Sequence, residues 1–276
     1  MRIVILADHA FAEGGAPQVA IASAVALARR GHAITYLHAV GQSGDARFEG
    51  VANLTRIGLG GRDVWDKPFA SAARDGIWNR AAARDLAAVL APLRGPDTLI
   101  HVHQWTRGFS PAAFAAIRAA GLPLAISLHD YFIACPTGLK FRFDRREPCT
   151  LRPMSLPCLL APCDPRSRAH KAVRIARSFA AARALAGQDV TAIHVSEAGR
   201  RTIGADLPGA WRQEVIENPI ETAPAPAPRA HPGNRIVYCG RLTEEKGVLL
   251  VARAARMAGV PALFIGEGPM RAAILA

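Results

Sequence analysis

No run of the 276 residues reaches the ~18–20 uninterrupted apolar positions of a membrane span, so no spanning helix is expected. Nor is an export leader expected. The opening MRIVILAD is a short apolar run with no small-residue cleavage site, and it leads into Glu13-Gly14-Gly15; it reads as a buried strand, and a cytosolic location is the expectation. The G-x-G-x-x-G fingerprint is absent, which argues against a dinucleotide oxidoreductase. The five cysteines are odd in number, which, with no export signal expected, argues against a disulfide framework. Lysine is scarce: Lys67, Lys140, Lys171 and Lys246 are the only four, so the 34 basic residues are nearly all arginine.

What is present is globular in composition, half hydrophobic and one-fifth charged, with ample material for a core. The length exceeds one ordinary domain of about 100–200 residues and falls short of two large ones, so one whole domain plus something smaller is expected. The net charge of +12 favours anionic partners. Between Lys140 and Arg183 stand 11 basic residues against Asp144, Glu147 and Asp164. Nucleic acid, a phosphorylated substrate and an anionic membrane surface would all be attracted there, and charge alone does not choose among them. No recognised nucleic-acid motif accompanies the charge, which disfavours nucleic acid. An Arg- and Ala-rich coding bias is the plainer alternative.

Continuous apolar runs of strand length, Ile3 to Ala7, Ile34 to His38, Leu99 to Val102, Leu124 to Leu128 and Val190 to Val195, alternate with Ala-rich helical stretches. The helices are expected over Pro17 to Arg30, around Phe69 to Leu90, and over Pro111 to Ala120 and Arg166 to Ala186, with Gly31 and Gly121 as stops. Strands apolar on both faces imply a mostly parallel sheet flanked by helices. The Pro-alternating stretch ETAPAPAPRAHPG, around Thr222 to Gly233, reads as a linker. Beyond it come strand Arg235 to Cys239, helix Glu244 to Ala258, strand Ala262 to Ile265 and a helix beginning near Met270. Two strands and part of a second helix cannot cover both faces of a sheet, so this domain reads as unfinished.

Several residues invite chemical readings. Gly14 and Gly15 precede a helix with Pro17 near its start, a turn whose free backbone N–H groups suit a phosphate or carboxylate; a tight turn without ligand is the equal alternative. Arg241 and Lys246 follow a strand, where open α/β sheets bind ligands, and a planar fork with a point charge suits a diphosphate; two solvated surface cations are the alternative. Cys135, Cys149, Cys158 and Cys163, spaced x13, x8 and x4, could close a structural zinc site, or remain reduced thiols. Arg166, His170, Arg174 and Arg177 share one helix face, while Ile175, Phe179, Ala182 and Ala186 form another read as core. The cationic face could meet a lipid phosphate or membrane; a solvated face is the alternative, because no exposed Trp or Phe is interleaved with the charge.

GRLTEEKG followed by LFIGEGPMR resembles the nucleotide-sugar domain of family 4 glycosyltransferases, which are retaining, metal-independent GT-B enzymes. EGGAPQVAIASAVALARRGHAITYL is similar to the family's opening Gly-Gly loop and helix, LIHVHQW to its next buried strand and AISLHDYF to its His-Asp strand end. HVSEAGRRTI and VIENPI are similar to its Ser- and Asn-containing segments, with Pro219 where Gly is commoner. The resemblance implies a GT-B-like α/β fold. An acceptor-side, doubly wound Rossmann-like domain would occupy 1–217, a linker 218–233, and the first part of a nucleotide-sugar-binding domain 234–276.

It also implies a retaining, metal-independent transfer from a nucleotide-sugar donor to an acceptor hydroxyl. Arg241 and Lys246 would hold the diphosphate, Gly15, beside Gly14, would approach phosphate or sugar, and His129 would contact the transferred sugar. His129 read without the resemblance is a core histidine capping a strand; Asn218 and Ser196 complete the implied donor set. An anionic lipid-linked or polysaccharide acceptor would fit a basic cytoplasmic enzyme of cell-surface polysaccharide or glycolipid synthesis, touching the inner face of the membrane through residues 140–183. The family's Glu-x7-Glu motif has no counterpart, since no two glutamates stand eight positions apart. The expectation is therefore a truncated chain, inactive alone; a non-catalytic nucleotide-sugar- or anion-binding module that has lost the donor site is the alternative.

Overall fold

The computed structural model describes residues 1–12, 14–220 and 233–275. It divides into two compact units, one of residues 1–140 and 150–220, the other of residues 141–149 and the part of the chain after 220. Of the linker expected over 218–233, residues 221–232 lie outside the described residues.

In the first unit β1 (Arg2–Ala7), α1 (Gly15–Arg29), β2 (Ala33–Val40), β3 (Leu54–Gly61), α2 (Phe69–Trp78), α3 (Arg80–Leu90), β4 (Thr98–Val102), α4 (Ala112–Ala120) and β5 (Leu124–Leu128) follow in order. After the hairpin β6 (Phe141–Arg142) and β7 (Glu147–Pro148), which groups with the second unit, come α5 (Leu156–Leu160), α6 (Arg168–Leu185), β8 (Val190–His194), α7 (Glu197–Ile203) and β9 (Arg212–Val215). Seven strands form one parallel sheet in the order β3-β2-β1-β4-β5-β8-β9. The chain starts in the middle, winds outward through β2 and β3, then reverses to β4, so the carboxyl ends of β1 and β4 flank a topological switch point.

The strict alternation of β1 divides the core. Ile3, Ile5 and Ala7 face α1, packing with Ile21, Ala24 and Tyr36, whereas Val4 and Leu6 belong to the larger core with Leu86, Leu90, Phe114 and Ile117 from α3 and α4. In α1 the buried stripe is Ala20, Ile21, Ala24, Val25 and Ala28, one face of a helix filled with small residues that let it lie close to the sheet. Full burial of a side chain such as Ile21 or Phe114 contributes about 1.5–3 kcal/mol.

Two expectations need correction. The stretch Phe69 to Leu90 is two helices broken at Asn79, which is extended (φ −86°, ψ 91°). Its Oδ1 accepts from Ala82 N (3.1 Å), its own N–H donates to Ser110 Oγ (2.8 Å) and its Nδ2 donates to the Gly108 carbonyl (2.8 Å). The cap starts the second helix and ties it to the loop after β4. On α6 the face expected as core is largely solvent-facing, with Phe179 56% exposed, Ala182 and Ala186 exposed and Ile175 half-buried, while Arg177 of the expected cationic face is buried, as is Lys171, beside Ala181, Ala184 and Leu185. Satisfaction of the charged heads explains this. Lys171 Nζ donates to the carbonyls of Cys158 (2.9 Å) and Ala161 (3.1 Å), and the Arg177 guanidinium lies 4.4 Å from the Phe132 ring centroid.

The second unit continues with β10 (Ile236–Cys239), α8 (Val248–Ala258), β11 (Ala262–Ile265) and α9 (Arg271–Leu275). β10 and β11 pair in parallel, with a 3-10 turn at Glu244–Lys246 leading into α8. Gly266 is required by close approach: it sits at φ 144°, and a Cβ there would overlap the Gly240 carbonyl. Gly268 stands equally close to the Leu242 carbonyl, which agrees with a backbone role for both glycines. Among the described residues, no helix is long and apolar enough to cross a membrane.

Candidate functional site

The carboxyl ends of the parallel strands carry a dense set of titratable side chains. Asp8, just past β1, is buried and accepts from the amides of Arg107 (2.9 Å), Gly108 (2.8 Å) and Phe109 (3.2 Å), pinning the loop after β4. Gly108 makes this approach feasible, because a Cβ there would meet Ala39 and Val40 of β2. Burial raises the Asp8 pKa despite the three amides. Its neighbour His9 stands 3.3 Å from Asp63, which also pairs with Arg107 at 2.6 Å. Burial works against the Asp63 carboxylate, but His9, the Trp65 amide and Arg107 together hold its pKa below the ordinary value.

Period-two spacing puts His101 and His103 of the β4 end on one side of the strand. Their rings lie 4.1 Å apart, and His103 Nδ1 is 2.9 Å from His129 Nε2 at the end of β5. His101 Nε2 in turn is 2.9 Å from Ser127 Oγ. Desolvation pushes His101 and His129 down to about 4, and desolvation with two neighbouring imidazoles lowers His103 as well, so the column is neutral at pH 7. Asp130 is pushed up to about 6 by burial, opposed by the Phe132 amide and by the charge of Arg177. Arg177 itself is pushed down to about 10 by burial. His103 Nε2 and Gln104 Oε1 are buried without a protein partner.

Among the expected site residues, His129 joins this cluster directly. Gly14 (φ 87°) and Gly15 begin α1, a 15-residue helix whose first turn carries no acid and no side-chain cap; they follow the β1 end on the same edge. Ser196 follows β8 on that edge, but its Oγ caps α7, accepting from Gly199 N at 3.0 Å. Asn218 is exposed, past β9. Arg241 and Lys246 lie in the second unit, both exposed after the β10 end; Arg241 is 3.7 Å from Glu245, and Lys246 closes the 3-10 turn before α8.

Among the described residues, no group of three or more His, Cys, Asp or Glu side chains is placed to hold a metal ion. Cys149 belongs to the second unit, whereas Cys135, Cys158 and Cys163 are buried in the first, with Cys163 Sγ 2.8 Å from Lys171 Nζ. The basic segment is likewise less free than its charge count implies: Lys140 pairs with Asp206, Arg142 with Asp144, Arg146 with Glu244 and Arg174 with Asp164.

Sequence reasoning missed Asp8, His103 and Asp130, and it placed Arg177 on a cationic helix face, whereas the residue is buried beside Phe132 and acts on Asp130. The HVH alternation at 101–103 beside the His-Asp pair at 129–130 was the available signal. Asp8 gave none, since its role depends on partners about 100 residues away.

No family model and no curated protein matches the chain. Among solved structures it is similar to Medicago truncatula UGT71G1 complexed with UDP-glucose, at 10% identity over 95% of this chain and 65% of that one, with a TM-score of 0.52. A UDP-glucose: anthocyanidin 3-O-glucosyltransferase in complex with UDP is similar at 9% identity over 95% of this chain and 66% of that one, with a TM-score of 0.50. The chain therefore spans a little under two thirds of the length of either structure. The fold is α/β and GT-B-like, with a Rossmann-like parallel amino-terminal sheet.

Proposed function

We propose that this protein is a retaining glycosyltransferase that moves a sugar from a nucleoside-diphosphate carrier to an acceptor hydroxyl, in the synthesis of a cell-surface polysaccharide or glycolipid at the cytoplasmic side of the membrane. The observation that carries the reading is the neutral His103–His129 pair at the switch-point edge of a sheet with a GT-B-like fold. The two similar structures, solved with UDP-glucose or UDP, support the choice of donor class.

On this reading residues 1–217 form the acceptor-side domain, 218–233 the linker and 234–276 the donor-side part. His103 engages Nε2 of His129 and orients the ring, leaving Nδ1 to face the transferred sugar; a neutral imidazole hydrogen-bonds a hydroxyl without holding an ion. Gly14 and Gly15 let phosphate or sugar approach the positive end of α1. Arg241 and Lys246, with Asn218 and Ser196 in the donor set, offset the charge that develops on the departing diphosphate, so the transfer proceeds without a divalent metal.

The test is titration of UDP-, GDP- and ADP-sugars against the chain and against a version extended in its natural reading frame, scoring binding and donor hydrolysis. Saturable binding of one donor, weakened about tenfold or more by Arg241→Ala or Lys246→Ala, is expected, since a charge-assisted contact contributes about 1.5–3 kcal/mol. Binding without turnover in both forms would favour a non-catalytic nucleotide-sugar-binding module. Absence of binding in both, with folding verified, overturns the donor reading.

A further inference from the structure

A cavity of ≈ 250 Å3 opens in the first unit between α2, α6 and the turn at Val64–Asp66. Its lining includes Trp65, Phe69, Lys67, Arg166, His170 and Arg177, and contains no Asp or Glu. Both aromatic rings remain accessible, Trp65 at 43% and Phe69 at 50%. The Arg166 guanidinium lies 3.8 Å from the centroid of Trp65, and the His170 ring meets Phe69 edge-on at 5.1 Å. The cations of residues 166–177, a stretch without Phe, Tyr or Trp, thus receive two aromatics from α2 and the turn before it.

The cations are not equivalent. Lys67 pairs with Asp75 at 2.9 Å, and Arg174 with Asp164 at 3.2 Å. Among the described residues the side chains of Arg166 and His170 have no carboxylate partner, although the Arg166 amide donates to Asp164 Oδ1 at 2.9 Å. An arginine stacked on a ring keeps its N–H donors around the guanidinium edge, the geometry that grips phosphate or carboxylate.

A carboxylate, Asp164, stands ahead of the start of α6, and it is already engaged by the Arg166 amide and by Arg174. Arg168, His170 and Lys171 occupy the first turn of α6, Arg166 precedes its cap Ser167, and that turn holds no acid. Cations at the positive end of a helix are unfavourable, by about 0.3–1 kcal/mol each when exposed. A sequence that breaks a local rule at the mouth of a cavity marks a site of use. The volume lies below the common ~300–1,000 Å3 of drug-sized pockets, room for one ring and a charged group rather than a whole nucleotide.

We propose that the cavity between α2 and α6 binds a hexose bearing a phosphate or carboxylate, the ring against Trp65 and Phe69 and the anion on Arg166 and His170. If the glycosyltransferase reading holds, the occupant is the acceptor's anionic sugar, and this identification alone rests on that reading. Arg177 forms the inner wall and also acts on Asp130, so the cavity adjoins the cluster at the strand ends.

The experiment is calorimetric titration of the full chain with glucose 6-phosphate, glucuronate and glucose, beside sedimentation with vesicles of phosphatidylcholine alone or mixed with phosphatidylglycerol. Saturable binding of one or both anionic hexoses is expected, about tenfold or more tighter than glucose and lost about tenfold in Arg166→Gln. Trp65→Ala should weaken it by a similar factor, and Arg166→Lys should restore part. Arg166 is exposed, so its variants keep their thermal midpoint within about 2 °C. Equal affinity for glucose, insensitivity to Arg166→Gln, or recruitment to anionic vesicles with no hexose binding would each overturn the proposal. Anionic-hexose binding is expected to persist in Arg241→Ala, which separates this result from failure of the donor titration.

Discussion

The two units treat similar sequence patterns very differently. In the first, β1, β4 and β5 are covered on both faces, and polar groups at their ends are buried, mutually bonded and shifted in pKa. In the second, β10 and β11 are as apolar in sequence, yet Val237, Leu263 and Ile265 are 56%, 41% and 50% exposed, and Arg241 and Lys246 remain solvated. Among its described residues the buried apolar positions are Leu242, Val248 and Ala255. Burial is thus supplied by the number of layers around a strand and not by the strand's own hydrophobicity. The same layers turn ordinary His and Asp residues into perturbed ones.

Phe114→Ala should test that contrast most severely. Phe114 is fully buried, and truncation should lower the stability of the first unit by about 3–5 kcal/mol, whereas Leu263→Ala should cost the second under about 1 kcal/mol. Denaturant unfolding monitored at Trp105, whose ring lies 5.1 Å from Phe114, measures the first, and equal costs would break the comparison. Gly266→Ala should cost about 2–3 kcal/mol, confined to the second unit, because its φ of 144° and the adjacent Gly240 carbonyl leave no place for a Cβ. Hydrogen exchange should show faster opening of β10 and β11 with β1 unchanged; uniform acceleration would mean the units are energetically coupled.

The third prediction concerns protons. Folded His101 and His129 titrate near 4 instead of 6.5, and His103 and His38 are also lowered, so the unfolded chain binds more protons at these sites between about pH 4 and 6.5. Asp130, raised to about 6, and Asp8, also raised, work in the opposite sense, binding protons in the folded state above the ordinary 3.8. Four imidazoles outweigh two carboxyls. Stability should therefore rise from about pH 4 to 6.5, by roughly 1.4 kcal/mol per pH unit for each net proton, and fall on acidification. Urea midpoints across that window measure it, and a flat or falling profile would remove the histidine column as an electrostatic feature. The smallest effect is expected for Arg241→Ala, under about 0.5 kcal/mol in stability, since its side chain is 71% exposed. Its consequence for donor affinity is the larger one, so the two measurements separate structure from function at that position.

Much of the fold was legible in the residues. The runs at Ile3, Ile34, Leu99, Leu124 and Val190 are strands within a residue or two of their expected bounds, because strands buried on both faces must be apolar throughout. Strands β3 and β9 were not foreseen: LTRIGLGG and RQEV are half-polar, as the two edges of a sheet permit. The break at Asn79 was hidden because its cap depends on Ser110 and Gly108, 31 and 29 residues away. Of the site, His129 was recognisable from the His-Asp motif, whereas its partner His103 required knowing that β4 and β5 are neighbours.

By itself the sequence determined the alternation of strands and helices, the apolar faces and the placement of glycines and charges, since these follow from local periodicity and backbone preference. Tertiary structure decided which charges are spent internally and which face a cavity. Lys171 is buried against carbonyls, Arg177 stacks on Phe132, and Arg166 reaches Trp65 about 100 residues earlier in the chain. The physical reason is desolvation: a charge's energy and pKa depend on the groups that replace its water, and distant segments supply those groups only when the chain is folded.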